Sequence, residues 1–163
     1  MHAALKSLSH FDYAEVAHLK VEPEQEDFVD SLDSVFSELR NSPRPGLEHA
    51  FSIVASDEIV GFFVLREGAA LPEWAPVNVM TLHTLCVDRA HQGNGYGRAA
   101  IKLAARWVST NRPNVNSLML GVNVRNVTAR AVYLKSGFRD TGATHYGPSG
   151  TQNILEHKIG LGA

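Results

Sequence analysis

Hydrophobic positions in this chain switch between a spacing of two and a spacing of three to four, and the switches mark its elements. Residues 3–8 read as a short strand and residues 11–19 as a short helix. Pro23 stands where a second helix can begin, because the first helical position needs no N–H. Phe28, Leu32, Val35, Phe36 and Leu39 then recur at helical spacing and mark one buried face. Glu26, Asp30 and Asp33 follow the same period on another face, and Asn41-Ser42-Pro43-Arg44-Pro45-Gly46 ends the helix. Residues 50–55 and 59–65 are β-rich runs joined by Ser56-Asp57-Glu58, which predicts a hairpin. Residues 79–87 form another strand. Ala100, Ile101, Ala104, Trp107 and Val108 make an apolar helical stripe, and residues 118–122 a further strand. Asn126 is placed to cap a helix that carries Ala129, Val132 and Tyr133 and stops at Gly137. Two last strands, near 138–145 and 153–159, flank the turn Gly147-Pro148-Ser149-Gly150. The order β-α-α-β-β-β-α-β-α-β-β predicts an α/β fold, a mixed sheet with helices on its faces.

Composition narrows this picture. The chain has 163 residues, 44% hydrophobic and 20% charged, a globular profile that predicts a single domain over 1–163 with one sufficient core. One cysteine, Cys86, excludes an internal disulfide, and its apolar setting reads as core. The eight histidines are scattered without zinc spacing, so no metal is expected. The first residues lack the apolar run of a signal peptide, and no segment approaches the ~18 apolar residues of a membrane span. A cytoplasmic protein without membrane contact is expected. A net charge of −2 argues against nucleic acid as partner. That total hides a split: residues 1–40 carry nine acids against three bases, and the remainder eight acids against twelve bases. Two differently charged ligands would account for it, as would solvated faces.

The most informative stretch is Val87-Asp88-Arg89-Ala90-His91-Gln92-Gly93-Asn94-Gly95-Tyr96-Gly97-Arg98. It follows a strand and opens a helix. Orphan N–H groups at a helix start bind anions, and glycines let backbone approach a phosphate closely. The dinucleotide fingerprint fails because glycines 93, 95 and 97 alternate, and no Gly-Lys-Ser/Thr follows for a nucleotide P-loop. The pattern that fits is Gln-x-x-Gly-x-Gly, with Gln92, Gly95 and Gly97. Preceded by Leu85-Cys86-Val87, it resembles the acyl-CoA pyrophosphate loop of the GNAT superfamily of N-acyltransferases. Asn126-x-x-Ala129-x-x-x-Tyr133-x-x-x-Gly137-Phe138 resembles the second acyl-CoA motif of that superfamily. The two stand in the right order with a helix and a strand between them.

The resemblance implies a GNAT-type fold with about six or seven mostly antiparallel strands and helices on both faces. It also implies acetyl-CoA as cosubstrate. The pyrophosphate cradle would fall on Gln92, Gly93, Asn94, Gly95, Tyr96, Gly97 and Arg98, and backbone pairing with the pantetheine arm on Leu85, Cys86 and Val87. Asn126 matches a CoA-contacting position and also fits as an N-cap. Tyr133 matches the tyrosine beside the thioester sulfur, where a phenol can donate to a departing thiolate. Many members carry a glutamate base eleven residues before the position of Gln92; here that residue is Thr81. His83, two residues on and on the same strand face, is the candidate base. A hydrogen-bonded core histidine is the competing reading, as is a carboxylate acting through water.

In the family the first two helices wall the acceptor. Glu22, Glu24, Glu26, Asp27, Asp30 and Asp33 fall there and suit a cationic amine. Residues 19–29 and Tyr96-Gly97 resemble the polyamine-type branch. The expected activity is transfer of an acetyl group to a primary amine of a small molecule, a polyamine among the candidates, without an acyl-enzyme. A protein or peptide N-acetyltransferase and a non-catalytic acyl-CoA-binding module are the alternatives. A homodimer is compatible with the resemblance.

Overall fold

The computed structural model describes residues 2–28 and 30–159. Val29 and the side chain of Glu24, both in the acidic stretch singled out above, lie outside the described set. Among the described residues seven strands form one sheet in the order β1-β2-β3-β4-β5-β7-β6. They are β1 (Ala4–Leu8), β2 (Glu48–Ala55), β3 (Glu58–Arg66), β4 (Val79–Val87), β5 (Ser117–Asn123), β6 (Arg139–Gly147) and β7 (Gly150–Lys158). All neighbours are antiparallel except β4 and β5, which are parallel. Among the described residues four α-helices cover the faces: α1 (Tyr13–Val16), α2 (Leu32–Arg40), α3 (Tyr96–Asn111) and α4 (Val127–Lys135). The element order and the mixed sheet agree with the pattern read from the sequence.

The second helix differs. It begins at Leu32, and Pro23 instead opens a single 3-10 turn, Pro23–Gln25. Ser31 is the reason: its hydroxyl accepts from the Ser34 amide and caps a new helix there. Glu26 and Asp30 therefore precede α2 and share no helical face with Asp33. The β2–β3 hairpin turns on Ser56 and Asp57, both at positive φ, the twist a two-residue hairpin needs.

Strand alternation sorts the core. Phe63 and Leu65 of β3 face α3, meeting Ala100, Ile101, Ala104 and Val108. Phe62 and Val64 face the other way, against Val16 of α1 and Val35, Phe36 and Leu39 of α2. The Phe36 and Phe62 rings stand 5.3 Å apart, a packed aromatic contact. Trp74, from the loop before β4, is taken up by a small cluster with Val79, Met119 and Ile154.

Two irregularities position the site. First, β4 and β5 pair only from Val79↔Ser117 to Thr81↔Met119, although β4 runs on to Val87 and β5 to Asn123. Beyond Thr81 the strands part and open a wedge in the sheet. Second, β4 is bulged. Phe62 opposes Cys86 and Val64 opposes His83, so three residues of β4 span two of β3. Thr84 lies in the bulge at φ 57, a costly conformation for a β-branched residue. The bulge reverses the alternation: Met80 and Leu82 face α3, and after it Leu85 faces α3 while Cys86 joins the α2 side.

Candidate active site

The wedge between β4 and β5 opens into a cleft of about 790 Å³. Of the site residues expected from sequence, all but Asn94 line it: Leu85, Cys86 and Val87 from β4, Gln92, Gly93, Gly95, Tyr96, Gly97 and Arg98 from the glycine loop and α3, Asn126 and Tyr133 from α4, and His83. Asn94 is exposed and its side chain turns back to donate to the His91 carbonyl at 3.2 Å.

The loop is built for anions. Gly95 caps α3 at φ 80 and has no side chain to satisfy the first amides. The helix's own bonding begins with Ala99 N–H to the Gly95 carbonyl, so the amides of Tyr96, Gly97 and Arg98 have no helical carbonyl behind them. The helix dipole adds positive potential at the same point. Gln92 acts locally as a tie, donating to the Val87 carbonyl at 3.1 Å and reaching Gln25 at 3.4 Å. Asn126 caps α4, its side-chain oxygen accepting from Ala129 N–H at 3.3 Å, and lines the cleft as well.

At the wedge apex stand the candidate reacting groups. Tyr133 packs its ring on Phe138 at 5.7 Å. Burial, with a smaller effect of neighbouring Cys86, pushes its phenol up to about 12, so it carries its proton at any working pH. Burial also pushes the Cys86 thiol up to about 12, with Asp88 adding to the effect. A thiol held that way is no nucleophile, in keeping with its reading as core. His83 Nε2 lies 2.6 Å from the hydroxyl of fully buried Thr81. Burial, helped by the charge of Arg66, holds His83 down at about 3, so its imidazole is neutral.

The cleft also brings in groups the sequence did not single out. Arg66 ends β3, and Glu38 of α2 joins it in the lining. Of the acidic set, Asp30 reaches this cleft. Phe28 lies beneath the Arg125 guanidinium, 5.4 Å from ring centre to Cζ, and Arg125 donates to the Ser149 carbonyl at 3.0 Å. These contacts link the segment before α2 to the β6–β7 turn across the cleft. An arginine closing the apolar run 59–65 was the available signal for Arg66; its exposure to the cleft depends on the wedge. Among the described residues no histidine, cysteine, aspartate and glutamate group is arranged to hold a metal. No described helix is long and apolar enough to cross a membrane.

Comparison with known proteins meets this geometry from outside. A family model described as the acetyltransferase (GNAT) family matches residues 12–138. An uncharacterized N-acetyltransferase of Bacillus subtilis, YbbJ, is 37% identical over 108 residues, which span 64% of this chain and 67% of that protein. AAC(6')-Ib in complex with ribostamycin and coenzyme A superposes with a TM-score of 0.78 at 16% identity, covering 97% of this chain and 94% of that one. A SpeG spermidine N-acetyltransferase chimera from Vibrio cholerae and hSSAT gives 0.68 at 17% identity, covering 97% and 96%. At these identities the solved structures speak to the fold.

Proposed function

The chain belongs to the GNAT acetyltransferase family, with acetyl-CoA as donor, and from that premise we propose that it acetylates the primary amine of a small molecule by direct attack in a ternary complex. The observation that carries this reading is the continuity of one cleft from the glycine loop, through the wedge, to Arg66 and Glu38. Donor and acceptor can then meet without a covalent enzyme intermediate.

The residues divide the work. Amides of the Gly93–Arg98 stretch, with the Arg98 side chain at its end, receive the pyrophosphate of acetyl-CoA. The β4 edge at Leu85, Cys86 and Val87, freed from β5, offers backbone groups to the pantetheine arm as an added strand would. Asn126 combines a donor contact with its cap. The nitrogen lone pair of the acceptor attacks the thioester carbonyl, the C–N bond forms, and the C–S bond breaks. The departing thiolate takes a hydrogen bond from Tyr133. A phenol near 12 stays protonated before the step and gives its strongest hydrogen bond as charge builds on sulfur. His83 receives the amine's N–H proton as the nitrogen becomes cationic. Its Nε2 is engaged by Thr81, which leaves Nδ1 for the acceptor. His83 is neutral at any pH where the amine is free base, and with its pKa held at about 3 it is a weak base that passes the proton on to solvent and does not keep it. Asp30 and Glu38 supply partners for a cation at the acceptor's far end.

The test is release of free CoA thiol from acetyl-CoA against a panel of small amines, with peptides as the contrast. Turnover with small amines supports the reading. Turnover with peptides alone makes the protein a peptide acetyltransferase, and tight acetyl-CoA binding with no turnover makes it a binding module.

A further inference from the structure

We propose that Arg66 binds a carboxylate carried on the carbon beside the reacting amine, so that the acceptors are free α-amino acids. The inference rests on the small-amine reading above and narrows it.

Arg66 stands opposite Glu48 on β2 and opposite Thr81 on β4. Residues directly opposite one another share a sheet face, so Arg66 lies on the face of Thr81 and, one alternation further, of His83. Residues two apart on a strand are separated by about 7 Å, a span that a small molecule and an arginine side chain bridge together. The guanidinium is partly exposed and lines the cleft with His83. Its Nε is buried and lies 3.1 Å from Glu48 Oε2, yet at an angle that makes a charge contact and no hydrogen bond. Three other arginines have their donors taken up by carboxylates. Arg112 makes two hydrogen bonds to Glu67, Arg130 one to Asp140 and Arg139 one to Glu156. Arg66 makes none to any described residue, and its planar guanidinium, part exposed, borders the cleft that His83 also lines.

A bare diamine presented here sets a developing cation beside a guanidinium and gains nothing from the fork. An α-amino acid brings a carboxylate that takes two parallel N–H bonds and offsets that repulsion. The positive field of Arg66 already reaches His83, where it helps to keep the ring neutral. Glu48 limits the charge that fits: beside one carboxylate the guanidinium accommodates a monoanion, and a doubly charged phosphate meets repulsion. Asp30 and Glu38, further out, then suit an amino acid whose side chain ends in a cation.

The experiment compares ornithine with putrescine, and lysine with cadaverine, using the full chain and saturating acetyl-CoA. The two members of each pair differ by the carboxylate alone. The expected kcat/KM is higher for the amino acid by roughly 10- to 100-fold, the range of a charge-assisted hydrogen-bond pair, with the acetyl group on the α-nitrogen. Arg66→Gln should lower kcat/KM for the amino acid by that factor, leave acetyl-CoA affinity unchanged, and leave the diamine used as well or better, since its repulsion by the guanidinium is relieved. Arg66→Lys, which keeps the charge without the fork, should fall between and carries the test where Arg66→Gln does not fold. Equal or better use of the diamine by the wild type overturns the proposal, and so does an equal loss on both members of a pair. Turnover of other amines but neither of these classes also overturns it, while the small-amine reading stands. If no amine turns over, that reading fails. Calorimetric titration of the CoA-bound protein with ornithine and putrescine then decides Arg66: selective ornithine binding lost in the variant supports it, and indifference overturns it.

Discussion

Tyr133 and His83, both lining the cleft, have their protonation set in opposite directions by burial. Burial raises the phenol, which stays protonated, and lowers the imidazole, which stays uncharged. Tyr133→Phe removes the hydroxyl and keeps the ring that packs on Phe138. Turnover should fall about 10²-fold with the acetyl-CoA dissociation constant unchanged; steady-state kinetics beside a binding titration checks both. His83 has a second consequence. Its folded value, about 3, lies below its ordinary 6.5, so the unfolded chain binds the proton first as pH falls. Its contribution to stability is whole above 6.5 and is lost as pH drops from 6.5 toward 3. His83→Gln should therefore flatten the acid limb of denaturant stability measured between roughly pH 6 and 4. Parallel curves for the two proteins would remove this account of the histidine. The rate profile follows the same logic: between roughly pH 5 and 8 it should rise with the free-base fraction of the amine, without a break from His83.

At the scale of elements the site depends on where β3, β4 and β5 stop cooperating. Gly61 holds the outer part of this arrangement. A Cβ there would lie 2.7 Å from the Cys86 carbonyl oxygen and 2.7 Å from Ile53 Cδ1. The carbonyl belongs to the β4 segment proposed to pair with pantetheine and has little room to retreat. Gly61→Ala should cost about 1–3 kcal/mol in equilibrium unfolding and weaken acetyl-CoA binding with it. Gly93 gives the contrast: nothing lies within 4 Å of its Cβ position, and only its φ of 82 resists a side chain. Helix boundaries were less legible than strands at this scale. The apolar spacing from Phe28 to Leu39 is real, but Ser31 competes for the backbone and splits the run.

For the whole molecule, the residues proposed to hold donor and acceptor line one cleft, and a ligand bound there reports on the fold around it. Saturation with acetyl-CoA at a hundred times its dissociation constant should add ~2.7 kcal/mol, an upward melting shift of about 5–10 °C for a chain of this size. Thermal unfolding with and without acetyl-CoA measures it, and an unmoved transition would count against the donor site. The charge split falls partly into place on this map. Arg98 lines the cleft from the start of α3, and Asp30 and Glu38 line it from α2 and the segment before it, while Asp27 and Asp33 are exposed. Local chemistry, which needs only neighbours along the chain, was legible in the sequence: the glycines at the start of α3, the Asn126 cap, Tyr133 within its motif, and the strands themselves. Arg66 and the bulge at Thr84 were not, because their meaning depends on partners far away in sequence. The sequence determined which strands form and which loop offers its amides. Only the tertiary structure decided where β4 leaves β5, since that parting balances ladder hydrogen bonds against the packing of α3 on one face and α2 on the other, and it is this parting that turns a sheet into a site.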